Sequence, residues 1–231
     1  MRLTATIIVL FFFSGAIAQS KRDTIAANIA GKKGNTLYGL GKFDSAIYYY
    51  KEAAMLDQDK GIISGFSYAY IGQIDKQQGK IAEAIASLNK AIALHTDKGS
   101  VDYAQSALIW ISFEDKNFAD VKESSHKMIQ NRTTYADPYI ALGSMYEQQA
   151  VNDSALYYLI EGLKLDNDKT WKSTLGYISL GKVYISLGKK DKAIEELKKA
   201  VAMKTPENLV HTAQKMLDDM DKKVAKSPKK S

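Results

Sequence analysis

The chain repeats itself. Residues 154–168, "SALYYLIEGLKLDND", follow 45–59, "SAIYYYKEAAMLDQD", almost position for position, and "EAIASLNKAIALHTD" (83–97) and "KAIEELKKAVAMKTP" (192–206) keep the same frame. Ala46, Ala84, Ala155 and Ala193 are equivalent small residues, and Gly34, Gly72, Gly143 and Gly181 form a second such set in the stretch upstream of each. A weaker copy places Ile109 and Val121 at those two positions, so the successive spacings are 38, 37, 34 and 38 residues in both sets. A period of this length means that each copy is one supersecondary unit. Such a unit cannot bury its apolar face alone and must stack on its neighbours.

The last copy shows what the unit is made of. Tyr177, Leu180, Tyr184, Ile194 and Leu197 recur at helical spacing, which predicts two amphipathic helices. Gly181 and Ala193 are small where the two helices approach, and Ala200 is small where the next pair stacks. Gly188 stands where a left-handed residue can end the first helix. Asp191 is placed to cap the second, as are Asp44 and Asp153 in their copies. After the fifth copy, Thr205 and Pro206 predict the start of a closing helix. Its apolar stripe is Leu209, Val210, Ala213, Met216, Leu217, Met220 and Val224, opposite Lys215, Asp218, Asp219 and Lys222. The first copy carries glycines at 31, 34, 39 and 41, each costing about 1 kcal/mol against alanine inside a helix, and its first helix is expected to be irregular or frayed.

This pattern resembles the tetratricopeptide repeat, a 34-residue pair of antiparallel helices. The resemblance covers nearly all of 19–221, with repeats at 27–60, 65–98, 102–135, 136–169 and 174–207 and a capping helix over 206–224. Three or four extra residues fall between units at 61–64, 99–101 and 170–173. They either extend a helix by about one turn or lengthen a connection. The resemblance implies an all-α, right-handed solenoid with a concave groove lined by the first helix of each pair. Carried onto this chain, the groove positions are Phe66, Ala69, Gln73 and Lys76 in the second copy and Tyr103, Ser106, Trp110 and Phe113 in the third. Ile140, Ser144 and Glu147 follow in the fourth, and Ile178 and Lys182 in the fifth. Tyr103, Trp110 and Phe113 share one helical stripe, which reads either as a set of interface anchors or as filling around a degenerate repeat. Some members grip a terminal carboxylate with lysines, arginines and asparagines. The matching positions here hold Gly31, Asn35, Tyr70, Tyr103 and Ala107, of which only Asn35 agrees.

Residues 1–18 are a different kind of segment. Arg2, an apolar run from Ile7 to Phe13 and the small Ala16 and Ala18 read as a signal peptide cleaved after Ala18; a retained membrane anchor is the alternative. The expected setting is the bacterial periplasm or cell envelope. The absence of cysteine excludes disulfides, thiolate catalysis and a cysteine-held metal. The net charge of +6 is not a nucleic-acid signature. Of 32 basic residues, Arg2 and five lysines of the last ten positions lie outside the body, leaving 26 against 26 acids in 19–221. The lysine-rich end, 225–231 with its preceding lysines, reads as a flexible tail, with contact to an anionic surface as the functional alternative.

No catalytic constellation stands out. His95, His126 and His211 sit in no metal-binding spacing, and no phosphate-cradling glycine loop is present. The sequence therefore implies no cofactor, no metal, no catalysis and no nucleic acid. It points to a scaffold binding a protein or peptide along its groove. The alternative is a structural subunit that packs through its repeats into a larger envelope assembly.

Overall fold

The computed structural model describes residues 22–58, 61–94, 97–166, 170–203 and 206–225. The signal segment, His95, Thr205 and the tail beyond Ala225 lie outside these. Among the described residues there are eleven helices and no strand. α1 covers 22–39. It is followed by α2 (Phe43–Leu56), α3 (Ile62–Gln77), α4 (Ile81–Ala93), α5 (Lys98–Glu114) and α6 (Phe118–Gln130). Then come α7 (Asp137–Gln148), α8 (Asn152–Leu165), α9 (Trp171–Ser186), α10 (Lys190–Ala202) and α11 (Glu207–Ala225). The chain divides into two compact units, one ending at Leu108 and the other beginning at Ile109.

Both units are all-α solenoid pieces built by one rule. In the second unit each helix from α6 to α11 packs on the next; α7 also packs on α9, and α9 on α11. In the first, α2 packs on α3 and α3 on α4. Each pair closes on a lock sixteen residues wide. A Cβ on Gly34 would lie 2.8 Å from the Tyr50 ring, one on Gly72 2.7 Å from Leu88, one on Gly143 2.5 Å from Leu159 and one on Gly181 2.9 Å from Leu197. The large side chain lies where the glycine leaves room. In the third copy the sizes are exchanged: Ile109 takes the glycine's place and Ser125 that of the large residue, and both are buried. The exchange preserves packed volume, but it leaves the Ser125 hydroxyl buried without a partner.

Three expectations change. α1 is continuous over 22–39 rather than irregular or frayed. Gly34 is needed for the approach to Tyr50, and Gly41, at φ +69°, lies beyond the helix end, so neither interrupts the helix. Asp44, Asp153 and Asp191 are not caps. They lie in the first turns of α2, α8 and α10, whose N-caps, Lys42, Val151 and Lys189, make no side-chain capping bond. There they favour the positive end of the helix dipole instead. The extra residues between copies extend α3, α5 and α9 at their N-termini rather than lengthening loops.

These extensions are tied down. Asp57, just past α2, accepts from the Ser64 backbone N–H at 2.9 Å and from the Ser64 hydroxyl at 2.8 Å, so it caps α3 from outside. Asp166 and Ser173, the equivalent pair 109 residues later, are likewise bonded at the start of α9. The two ends are finished differently. In α11, Ala213 is fully buried, with Leu209, Met216, Leu217 and Met220 packed around it. In α1, Lys33 and Thr36 occupy positions that hold Ile71 and Ile74, or Leu180 and Val183, in later copies, where they are buried. α1 thus meets solvent with polar groups, and the Lys33 ammonium lies 4.1 Å from the centre of the Tyr49 ring.

Candidate functional site

The first unit contains a cavity of about 230 Å³ between α1 and α3. α1 supplies Asn28, Gly31, Lys32 and Asn35; α3 supplies Ile63, Phe66, Ser67 and Tyr70. Both sets follow the i, i+3, i+4, i+7 spacing of a single helical stripe. Phe66 and Tyr70 stand 38 residues after Asn28 and Lys32, so the walls are equivalent faces of two successive copies. Tyr50, from α2, completes the lining.

The repeat lock positions this site. Because Gly34 has no side chain, the Tyr50 ring lies against α1 and its hydroxyl reaches Asn35, donating to the Asn35 Oδ1 at 2.7 Å. Burial, reinforced by Tyr70 and Tyr38 nearby, pushes the Tyr50 phenol far above its ordinary value, so the proton stays on it. That fixes the Asn35 amide with its oxygen inward and its NH2 available to the cavity. Asn28 is oriented in the opposite sense. Its NH2 donates to the Thr24 carbonyl at 3.0 Å and its oxygen remains an acceptor.

The rings behind the cavity form a cluster. Tyr50 and Tyr70 stack with centroids 5.2 Å apart and planes within 5°. Tyr103 lies 5.5 Å and Tyr38 5.9 Å from Tyr70, and Gln77 donates to the Tyr38 hydroxyl at 2.9 Å. Burial also raises the Tyr70 phenol above its usual range. Lys32 is the one charged residue in the lining, and no acid lines it. The site therefore combines aromatic walls with hydrogen-bond donors.

The residues singled out from the sequence separate into three groups. Phe66 lines the cavity, and Tyr103 adjoins Tyr70 behind it. Gln73 and Lys76 are half-buried on α3 and do not line it. Trp110, Ile140 and Ile178 are 2%, 0% and 2% exposed and belong to the core of the second unit, so they present no binding face. Trp110 meets the Trp171 ring at 4.9 Å and Phe113 at 5.3 Å, so there the stripe is packing. Glu147 and Lys182 face each other at 3.6 Å across α7 and α9 and satisfy one another. Burial still raises the Glu147 carboxyl, with Lys182 opposing the shift.

The reading from sequence missed Asn28, Lys32, Tyr50, Ile63 and Ser67. It weighed Gly31, Asn35 and Tyr70 only against a carboxylate clamp. The available signal was the i, i+4, i+7 stripe on α1, which its glycines obscured. Among the described residues no group of three acids or histidines could hold a metal, and no helix is long and apolar enough to cross a membrane. His126 shares a 3.1 Å hydrogen bond with the Tyr158 hydroxyl, and His211 is exposed on α11.

The tetratricopeptide-repeat profile matches residues 27–60, 67–95 and 176–205. No curated protein matches the sequence. Among solved structures, the fold is similar to TTC0263, a thermophilic tetratricopeptide-repeat protein of Thermus thermophilus. The TM-score is 0.58 and the identity 17%, covering 83% of this chain and 99% of that one. YrrB, described as having an unusual peptide-binding site, gives a TM-score of 0.52 at 18% identity, covering 88% of this chain and 97% of its own. The MamA protein gives 0.53 at 24%, covering 77% and 91%. At these identities the likeness is one of fold.

Proposed function

We propose, from the premise that this chain is a tetratricopeptide-repeat protein, that it is an exported, non-catalytic scaffold that binds an extended protein segment along the first helices of its repeats. The observation that carries the reading is the cavity between α1 and α3. Its walls are the same face of two successive copies, so a ligand lying across it follows the repeat direction. Aromatic side chains offer large contact areas at low entropic cost, and Phe66 and Tyr70 supply them here. The fixed Asn35 amide supplies a donor for a ligand main-chain carbonyl.

The test is capture. The chain is offered extracts of its own cell envelope beside two variants. Phe66→Glu puts a charge in the cavity, whereas Tyr48→Glu alters an exposed ring outside the lining. A partner held by the parent chain and the Tyr48 variant but lost by Phe66→Glu supports the reading. Equal capture by all three contradicts it. Export is tested by fractionation: the full chain is expected in the envelope fraction, and a chain lacking 1–18 is expected to stay in the cytoplasm. Equal distribution of the two would remove the export reading.

A further inference from the structure

We propose that the cavity takes a proline-rich segment in the polyproline II conformation; this rests on the peptide-binding reading above. A polyproline segment has no main-chain N–H groups and no internal hydrogen bonds, so it offers carbonyl acceptors and apolar rings. The cavity offers the complement. The Asn35 NH2 is turned outward because Tyr50 holds the amide oxygen at 2.7 Å, and the Lys32 ammonium and Ser67 hydroxyl add further donors. Of the two lining amides only the Asn28 oxygen is left to accept, and no carboxylate lines the cavity. A ligand rich in N–H donors would find few partners there. One made of carbonyls and pyrrolidine rings finds donors and aromatic walls together.

The walls suit such a ligand physically as well as chemically. Proline-rich segments dock into aromatic-lined grooves because they are already extended and lose little entropy on binding. The Phe66 and Tyr70 rings wall the cavity, and Tyr70 is braced by stacking on Tyr50 and by contact with Tyr38 and Tyr103. The wall is therefore set before a ligand arrives. At about 230 Å³ the space equals roughly eight water volumes of about 30 Å³, enough for apolar rings and too little for a folded element.

The experiment measures anisotropy of labelled ten-residue peptides on the full chain. One is all proline, one alternates glycine and serine, and one is acidic with a free C-terminal carboxylate; a neutral oligosaccharide is added as a competitor. The proline peptide is expected to bind at least tenfold more tightly than either other peptide, and Asn35→Leu is expected to weaken it about tenfold. The peptide series is read on the unchanged chain, so it stands whether or not the Asn35 variant folds. Equal or tighter binding of the acidic or glycine-serine peptide overturns the proposal while leaving the groove reading intact. Displacement of the proline peptide by the oligosaccharide at comparable concentration also overturns it, in favour of a sugar. If no peptide binds and Phe66→Glu costs no capture, the groove reading itself has failed.

Discussion

At the scale of single residues, the glycines of α1 divide by what surrounds them. A Cβ on Gly31 would meet only Ile63 and Ala53, at 3.8 and 3.9 Å, which is ordinary contact. A Cβ on Gly34 would meet the Tyr50 ring at 2.8 Å. Gly31→Ala is therefore expected to stabilise the chain by about 0.5–1 kcal/mol through helix propensity. Gly34→Ala is expected to destabilise it by about 1–3 kcal/mol through overpacking. Urea melts of both variants check the pair, and a loss for Gly31→Ala would contradict the assignment. Asp75 makes a different kind of prediction. It is buried on α3, and desolvation raises its carboxyl above the usual range, against the opposing pull of Lys80. A carboxyl raised in the folded state contributes stability that is full below the ordinary value and is lost as pH rises through the elevated one. Asp75→Asn should therefore melt higher than the parent at pH 7, with the difference vanishing below about pH 4. A parent that melts higher at pH 7 would show that the charged form is the one the fold prefers.

At the scale of the helix pair, sequence and structure agree on what is repeated and diverge on what is local. The lock between Gly181 and Leu197 could be read directly because a small and a large residue recur at fixed spacing. Gly188 was legible too, since only a left-handed residue at φ +68° suits that position after α9. The caps were misread because an aspartate near a helix start suits either the cap or the first turn, and a shift of two residues separates them. The bond from Asp57 to Ser64 was not legible at all, because it joins two different helices. Replacing Asp57 by alanine removes a cap on the Ser64 N–H and strands a hydroxyl, which should cost about 1–3 kcal/mol. Hydrogen exchange should show the loss as faster exchange at the start of α3. Unchanged protection there would mean that the bond is incidental. The stripe of Tyr103, Trp110 and Phe113 marks the other limit of sequence reasoning. An aromatic row looks alike whether it faces a partner or, as Trp110 does, the ring of Trp171.

At the scale of the molecule, repetition explains why the architecture was legible while the site was not. Each of five copies restates the architecture, so errors in one are corrected by the others. The cavity occurs where copies depart from one another: Asn28, Lys32 and Asn35 in α1 face Phe66 and Tyr70 in α3, and no consensus describes that combination. It also depends on Tyr50, whose hydroxyl orients Asn35 from the far side of the lock. The same solenoid logic puts polar groups on the outward edge of α1 and a half-buried stripe on α11. The claim that this cavity is where the chain holds its partner is tested most directly by Gly31→Leu, which fills the space from a position where a Cβ is tolerated. The variant should melt no lower than the parent and should lose at least tenfold in affinity for the captured partner. A variant that folds equally well and binds with undiminished affinity would contradict the account.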